Sequence, residues 1–385
     1  MNASEPELRV ALFTGNYNYI KDGVALTLNR LVAFLLERGI PVLIFAPTGP
    51  TPAFESVGEL VSVPSFPIPT RAEYRIATGL PQSARARLKE FRPTLFHIAV
   101  PDIVGYQALK LADAWGIPAV ASYHTRYDTY LRFYGLGILE KLGQRYLRSF
   151  YTKVRRVYPP SESMAQIIRD TGQSRNVEVW ARGVDSEMFS PAQRDMAWRR
   201  SLGVGENEVV ICFVGRLVKE KNTGTVARAL NLLKQKGPRF RAMIVGDGPE
   251  LASMKAALPY AIFAGFLHGD ELARAYASSD IFFFPSESET FGNVTLEAMA
   301  SGLPAVNAVA SGSNSLVLEG ETGFLVNARD EAGLADRLAL LASDQGLRHK
   351  MGAAARQRAL AFSWEAILSG LLESYRQVLR EAHGR

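Results

Sequence analysis

Short apolar runs of four to seven residues alternate with stretches of helical periodicity along almost the whole chain. The runs Val10–Phe13 and Val209–Val214 are apolar at every position, whereas a strand with one solvated face would alternate apolar and polar residues. Continuous runs of this length are typical of parallel strands that are covered on both faces. The repeated order of strand and helix therefore predicts an α/β fold with doubly wound, parallel sheets.

Further predicted strands share this apolar character. They are Pro41–Ala46, Leu95–Ile98, Pro118–Ser122, Ala242–Val245, Ile262–Phe263, Ile281–Phe284 and Ala305–Val306. A first long helix is predicted over Val24–Arg38 because apolar residues recur there at helical spacing. The tail from Glu331 is predicted to be helical throughout, with a last helix over about Ser363–Glu381.

The alternation pauses near residues 181–207, where polar and charged residues predominate. A chain of 385 residues is longer than one hydrophobic core usually holds. We therefore predict two domains, one of residues 1–185 and one of residues 186–365, with the C-terminal helix at about residues 366–385 packing back on the first. The stretch 181–207 is predicted to be a linker at their boundary.

The composition excludes several protein classes. Hydrophobic residues make up 47% and charged residues 21%, which is typical of a globular chain and not of a disordered one. The single cysteine, Cys212, cannot form an intramolecular disulfide and is predicted to be a buried, inert thiol. No run approaches the length of a membrane span, and Met1–Pro6 lacks the features of a signal peptide. A cytoplasmic location is expected.

The net charge of +6 is concentrated in one segment. The segment from Arg126 to Arg156 contains eight cations and two carboxylates, so its net charge of +6 equals that of the whole chain. Aromatic and aliphatic residues alternate with these cations, which suits an interfacial helix on anionic lipid. The candidate membrane or acceptor residues are Arg126, Tyr130, Arg132, Tyr134, Arg145 and Arg148. A solvated helix with an ordinary core face is the alternative, and nucleic acid is disfavoured because no binding motif accompanies the charge.

The segment Pro285–Pro304 combines a strand end, a polar loop, a helix and a Gly-Leu-Pro stop. We expect the helix to begin near Thr290 or Phe291, so that Glu289 precedes it and Glu297 lies two turns in, about 10–12 Å along the axis. A helix N-terminus binds phosphate, so a diphosphate flanked by two sugars could lie there. One carboxylate would then reach the hydroxyls at each end of the ligand, as a nucleotide-sugar requires. The alternative is that Glu289 caps the helix and Glu297 is a surface charge.

Other candidate residues follow predicted strands. Arg216 and Lys221 come after Val209–Val214, where guanidinium and ammonium groups would suit a diphosphate, although a charged surface loop is the alternative. Gly23 opens the first long helix, and His124 follows a strand end, although a structural histidine is also compatible with that position. The fingerprints of dinucleotide enzymes, P-loop ATPases and zinc sites do not occur in the sequence.

Together these residues resemble the family 4 retaining glycosyltransferases of the GT-B fold. The matching motifs span most of the chain and are Asp22–Val24, Ser122–Thr125, Arg182–Pro191, Val214–Asn222, Val245–Pro249, Pro285–Pro304 and Glu321–Val326. The resemblance implies two Rossmann-like, doubly wound domains that face a central cleft. It also implies catalytic residues: Arg216 and Lys221 would stabilise charge on the departing nucleotide, Glu289 would contact the transferred sugar, and His124 would face it near the reacting carbon.

The resemblance implies donor-binding residues as well. Glu297 would bind the ribose hydroxyls, and the backbone N–H groups of Phe291, Gly292 and Asn293 would meet the sugar and the phosphate. Gly23 would let the loop of the first domain close on the diphosphate. Members of this family generally need no bound metal, so neither a metal nor another cofactor is expected.

The motifs are most similar to those of glycolipid enzymes such as sulfoquinovosyldiacylglycerol synthase and lipid mannosyltransferases. The implied reaction moves a hexosyl group, with retention, from GDP-mannose or a UDP-sugar to a hydroxyl of a membrane lipid or lipid-linked acceptor. The enzyme would then be peripheral, at the inner face of the cell membrane. The alternatives are a soluble glycosyltransferase with a small sugar acceptor and a nucleotide-sugar epimerase or binding protein of the same fold.

Overall fold

The computed structural model describes residues 7–68, 71–124 and 140–384. The chain forms two compact units. One contains the chain up to Trp180 together with the residues from Leu368 onward, and the other contains Ala181–Ile367. These divisions lie a few residues from the expected boundaries at 185/186 and 365/366.

The first unit is built on a six-stranded parallel sheet with the order β3-β2-β1-β6-β7-β8. Its strands are β1 Val10–Phe13, β2 Val42–Pro47, β3 Glu59–Val63, β6 Leu95–Ile98, β7 Ala119–Ser122 and β8 Arg156–Tyr158. An antiparallel hairpin of β4 Ser65–Ile68 and β5 Arg71–Ala77 stands apart from this sheet. The strands β1, β2, β6 and β7 are buried at every position, as parallel strands covered on both faces should be.

The second unit repeats the same design. Its parallel sheet has the order β11-β10-β9-β12-β13-β14, which is the strand order of a Rossmann fold. The strands are β9 Val209–Val214, β10 Phe240–Val245, β11 Ile262–Gly265, β12 Ile281–Phe284, β13 Ala305–Ala308 and β14 Gly323–Val326. Cys212 is buried in β9, and this burial raises the pKa of its thiol to about 12, so the thiol stays protonated and inert at neutral pH.

Helices connect the strands of both units. Those of the first unit are α1 Gly23–Glu37, α2 Gln82–Phe91, α3 Ile103–Trp115, α4 Glu140–Tyr151 and α5 Glu162–Asp170. Those of the second are α6 Met196–Ser201, α7 Thr223–Lys236, α8 Leu251–Ala257, α9 Gly269–Ala277, α10 Asn293–Ala300, α11 Ser311–Leu316, α12 Glu331–Ser343 and α13 Gln345–Leu360. The last helix, α14, spans Trp364–His383. In the described part of the chain, none of the helices has the length and apolar character needed to cross a bilayer.

The C-terminal helix joins the core of the first unit through a buried histidine. The ring of His97 hydrogen-bonds Tyr375 of α14 with Nδ1 and Ser122 at the end of β7 with Nε2. Burial lowers the pKa of His97 to about 3, so the ring is neutral at neutral pH. Arg156 adds ion pairs to Glu178 and to Glu381 of the same helix. The expected packing of the last helix on the first domain rests on these polar contacts and on buried leucines.

The stretch 181–207 is not a linker, contrary to the sequence-based expectation. Val184 pairs with Ser363 in a β-bridge, and Gly183 lies so close to Trp364 that a Cβ atom would meet its ring at 2.5 Å. Arg199 is only 2% exposed and donates to Asp280 at 2.9 Å and to the carbonyl of Ser278 at 2.7 Å. The polar composition of this stretch therefore reflects buried ion pairing within the second unit.

This buried arginine makes a testable contribution to stability. Arg199→Ala should lower the free energy of unfolding of the second unit by about 3 kcal/mol, because it removes a buried guanidinium that donates to Asp280 and to the carbonyls of Ser278 and Glu208. The Asp280 carboxylate keeps its contacts with Arg194 and with the N–H of Val210. The neighbouring Arg200 is exposed and lies 3.9 Å from Glu206, so Arg200→Ala is the matched control and should change stability by less than about 0.5 kcal/mol. Urea unfolding of both variants measures the difference, and equal destabilisation would contradict the assignment.

Candidate active site

Both sheets reverse their strand order at one point, and the candidate residues of the second unit lie beside such a reversal. In that unit β9 pairs with β12, and the chain adds strands outward from this pair in both directions. Doubly wound sheets bind ligands at the carboxyl ends of the strands beside the reversal. The loop 215–222 follows β9 and the loop 285–292 follows β12. Arg216, Lys221 and Glu289 therefore all lie at the carboxyl ends of the two strands beside the reversal.

Polar side chains tie these two loops together. Asn222 donates through Nδ2 to the carbonyl of Pro285 at 2.8 Å, and its own backbone is left-handed, with φ of 53°. Ser288 donates through Oγ to the carbonyl of Glu220 at 3.2 Å. Each loop therefore restrains the other, and the side chains that they carry are held at the same edge of the sheet.

Lys221 and Glu289 form an ion pair across the two loops. The Lys221 ammonium contacts the Glu289 carboxylate and lies 3.3 Å from Oγ of Ser288. Both side chains of the pair are about four-fifths buried, with exposures of 17% and 20%. An ammonium carries three N–H bonds, and these contacts use two of them. The third suits a phosphate oxygen, so the pair can bind an anion without first separating.

Helix α10 begins later than the sequence analysis expected. Its first residue is Asn293, because Gly292 adopts a left-handed conformation with φ of 98° that few other residues tolerate. The expected start at Thr290 or Phe291 is wrong. Glu297 lies only four residues after the actual start, about 6 Å along the axis, and not two turns into the helix. Gly292 has no side chain to cap the helix, so the first N–H groups suit an external anion.

Glu297 contacts a tyrosine on another helix. Tyr276, near the end of α9, is fully buried and donates through its hydroxyl to Oε2 of Glu297 at 3.1 Å. Burial raises the pKa of Glu297 to about 7, and the hydrogen bond from Tyr276 partly opposes this rise. The reading of Glu297 as an ordinary solvated charge is therefore wrong, because its carboxylate is partly buried and accepts a hydrogen bond from a buried tyrosine.

Arg216 differs from Lys221 in being exposed. Its guanidinium donates to Glu220 at 2.8 Å, and 64% of its side chain is accessible. An exposed pair of this kind contributes little to stability and is easily exchanged. Arg216 can therefore leave Glu220 for a phosphate, which a guanidinium can bind with two parallel hydrogen bonds.

The remaining described candidates belong to the first unit. Gly23 is the first residue of α1, directly after Asp22, whose carboxylate accepts the N–H of Ala25 at 2.8 Å as the helix cap. His124 follows β7 and is buried, with its ring 5.8 Å from that of Trp180. Both residues therefore lie at the carboxyl edge of the first sheet, where the fold predicts ligand contacts.

Sequence reasoning missed two contributors to this site. Tyr276 gave no signal because it lies on an apolar helix face, far along the chain from Glu297. Ser288 stands inside the quoted motif, but spacing alone does not show that its hydroxyl links Lys221 to the opposite loop. The candidates Arg126, Tyr130, Arg132 and Tyr134 lie outside the described residues.

The described residues contain no group of three or more His, Cys, Asp or Glu side chains that could hold a metal ion.

A cavity of about 270 Å³ opens in the second unit, lined among others by Arg194, Asp280 and Gly302. Asp280 precedes β12, so this cavity lies at the amino ends of the strands and not at the edge that carries Lys221 and Glu289.

Comparison with known proteins decides the family. A model of the Glycosyltransferase Family 4 domain matches residues 21–188, and a model described as Glycosyl transferases group 1 matches residues 195–358. A GDP-mannose-dependent alpha-mannosyltransferase of Corynebacterium glutamicum is 33% identical over 97% of this chain and 89% of its own length. The chain belongs to the family 4 glycosyltransferases.

Two further comparisons agree with this result, the first in sequence and the second in fold alone. The sulfoquinovosyl transferase of Arabidopsis thaliana is 32% identical to this chain, over 93% of this chain and 71% of its own length. The structure of sucrose-phosphate synthase from Thermosynechococcus elongatus superposes with a TM-score of 0.79 over 97% of this chain and all of that one, at 19% identity. The expected family and the GT-B fold are thus confirmed, and the protein is an enzyme that uses a nucleotide-sugar.

The titration of Glu297 predicts a pH-dependent donor affinity. The folded pKa, about 7, lies above the ordinary value of 4.5, so the carboxyl is protonated in acid and ionised in base. Since an ionised carboxylate accepts hydrogen bonds from hydroxyls more strongly, affinity for a nucleotide-sugar should rise up to about tenfold between about pH 6 and about pH 8.

Calorimetric titration with an intact nucleotide-sugar measures this effect, because a diphosphate diester does not itself titrate in that range. Glu297→Gln is the control and should bind with weak, pH-independent affinity. A wild-type affinity that stays constant across the range would contradict the role of Glu297 ionisation.

Proposed function

We propose that this glycosyltransferase transfers a hexosyl group, with retention of configuration, from a nucleotide-diphosphate sugar to a hydroxyl of a membrane lipid or lipid-linked acceptor. GDP-mannose is the first donor to test, because the Corynebacterium glutamicum relative is named for that donor, and UDP-sugars are the alternative. The proposal rests above all on the Lys221–Glu289 pair, held beside the start of α10. Catalysis is assigned to protein side chains alone, with no metal or other cofactor.

The assigned roles follow from the charges at this place. The diphosphate would lie at the uncapped start of α10, near the N–H groups of Phe291, Gly292 and Asn293, where the helix dipole favours anions. Lys221 would keep its contact with Glu289 and donate its third N–H to the diphosphate, and Arg216 would exchange Glu220 for it. Glu289 would then accept hydrogen bonds from the transferred sugar.

The reaction can be written so that bonds and charges balance. The bond between the anomeric carbon and the β-phosphate oxygen breaks, and its electron pair leaves with the nucleoside diphosphate. The acceptor oxygen bonds to the anomeric carbon on the same face, and its proton passes to the departing phosphate oxygen. Arg216 and Lys221 stabilise the negative charge that develops on this oxygen. His124 and Gly23, at the carboxyl edge of the first sheet, are assigned to the transferred sugar and the diphosphate.

A donor panel tests the proposal directly. GDP-mannose and several UDP-sugars are incubated with the enzyme and a total lipid extract, and nucleotide release is measured together with the anomeric configuration of the product. Arg216→Ala should lower turnover by about two orders of magnitude or more, since the charge on the leaving group loses its main exposed cation. EDTA should leave wild-type turnover unchanged.

The control for this variant is Arg228→Ala. Arg228 is similarly exposed in the same unit and is also paired, at 2.6 Å from Glu331, but it lies in α7, beyond the two loops of the site. The control should retain wild-type turnover. Near-normal turnover of a well-folded Arg216→Ala enzyme would overturn the assignment of Arg216, and a strict metal requirement would show that the cations do not suffice.

A surface of the first unit supports a lipid acceptor. Tyr146 of α4 donates to the carbonyl of Pro101 at 2.9 Å, and its ring lies 6.4 Å from that of Tyr106 at the start of α3. We call the exposed residues here the α3–α4 surface. They are Ile103, Tyr106, Lys110, Leu142, Arg145 and Tyr146. Apolar residues that project beside cations suit the headgroup region of an anionic membrane.

Not every cation of the basic segment can contact lipid. Arg156 is only 13% exposed and binds Glu178 and Glu381, so its charge is used inside the first unit. The cations of the described part that remain exposed are Lys141, Arg145, Arg148, Lys153 and Arg155.

The membrane proposal predicts binding to anionic but not to neutral vesicles. Each basic residue near the surface contributes roughly 1 kcal/mol, and salt weakens this attraction without removing the apolar contribution. Replacing Lys141, Arg145, Arg148 and Arg155 with Gln should release the protein from the vesicles and spare hydrolysis of the donor. Co-sedimentation with vesicles of varied anionic content measures the binding of the wild type and of this quadruple variant.

The matched control replaces four exposed cations of the second unit, Lys234, Lys236, Arg239 and Lys255, with Gln. It removes the same net charge and should leave vesicle binding nearly unchanged. If the wild type stays in the supernatant at every composition, a soluble enzyme with a small sugar acceptor is the better description.

A further inference from the structure

The hydrogen bond between Tyr276 and Glu297 joins two helices of the second unit that approach the site from different parts of the sequence. Tyr276 lies near the end of α9, and Glu297 lies in the second turn of α10. The tyrosine hydroxyl donates to Oε2 of the glutamate at 3.1 Å. Glu297 is partly exposed, whereas Tyr276 is fully buried, so the tyrosine supports the carboxylate from the protein side.

The ring of Tyr276 has little freedom to move. Phe189 packs against it edge to face, with ring centres 5.9 Å apart, and Phe282 of β12 lies 6.1 Å away. Aromatic contacts of this geometry fix the plane of the ring, and with it the position of the hydroxyl. Tyr276 is therefore a fixed donor aimed at Glu297.

A glutamate carboxylate without such a donor rotates freely about its last torsion, because the energy wells of that torsion are broad. A hydrogen bond to Oε2 selects one orientation and leaves Oε1, together with a lone pair of Oε2, for another donor. Two neighbouring hydroxyls of a ribose match this remaining capacity. The pair is therefore more than a satisfied buried hydroxyl, since it orients the group that faces the ligand.

We propose that Tyr276 is a positioning residue of the donor site, which holds the Glu297 carboxylate in the orientation that accepts the ribose hydroxyls of the nucleotide-sugar. The inference rests on the proposed function, in which Glu297 binds the ribose. Tyr276 itself does not touch the donor. Its effect should appear in donor affinity, and only for donors that carry ribose hydroxyls.

The experiment compares Tyr276→Phe with the wild type, using GDP-mannose, or the donor selected by the panel, and the analogue that lacks both ribose hydroxyls. Tyr276→Phe should raise the donor KM by about tenfold, the effect expected for one hydrogen bond to a charged group, and change kcat by less than about twofold. The hydroxyl-free analogue should bind both proteins equally. A matched control is Tyr260→Phe, which removes a tyrosine hydrogen bond of the same 3.1 Å length, to Asn231 in α7 of the same unit, and should change neither parameter.

A second comparison guards against simple destabilisation. In the Glu297→Gln background, adding Tyr276→Phe should cause no further loss of donor affinity, because the oriented carboxylate is already absent. Wild-type affinity in Tyr276→Phe, or an equal loss of affinity for the analogue, would overturn the positioning role. If the wild-type enzyme binds the donor and its analogue equally well, the ribose contact of Glu297 is wrong, and the inference falls with the proposed function.

Discussion

The parallel pairing of β9 with β12 determines the geometry of the donor half of this enzyme. The two strands are distant in sequence, but the ladder between Ile211 and Ile281 makes them neighbours at the point where the sheet reverses. Their following loops then emerge side by side, and this closeness allows Lys221 to contact Glu289 and Asn222 to contact Pro285. A loss of register between these buried strands would therefore disturb the core and the contact between Lys221 and Glu289 together.

The charges at this place are balanced before a donor arrives. Lys221 is paired with Glu289, and Arg216 is paired with Glu220. Pairing weakens the long-range attraction for a diphosphate, but it also holds the cations in place, so less side-chain entropy is lost on binding. The exposed pair is easily exchanged and the buried pair is not, which suits a site where one cation moves to the ligand and the other stays.

Much of this architecture can be predicted from the sequence, because buried parallel strands produce continuous apolar runs. The central strands were predicted in this way. The strands β3, β8 and β14 and the hairpin of β4 and β5 were missed. β3 and β4 are partly exposed, and the apolar runs in β8 and β14 are at most three residues long. The start of α10 was misplaced because the spacing of apolar residues does not reveal the left-handed conformation of Gly292.

The site residues show the same division. Motifs identified the loops that carry Lys221 and Glu289, but the partners of a charge depend on tertiary contacts. Arg156 was counted among the surface cations, but it forms ion pairs inside the first unit. Residues 181–207 were predicted to be a linker because charged residues usually lie at the surface, whereas Arg199 is buried in an ion pair. The role of Tyr276 could not be predicted, since its helix reaches Glu297 only after the sheet has formed.

The position of α14 has a consequence for biosynthesis. The second unit is a continuous stretch of chain, whereas the first also needs residues from Leu368 onward. During synthesis, therefore, every residue of the second unit is made before the first unit has its last helix, although N-terminal domains generally fold first. Until Tyr375 is synthesised, His97 has only one of its two hydrogen-bond partners. The N-terminal unit thus cannot complete its core until the residues from Leu368 onward have been synthesised.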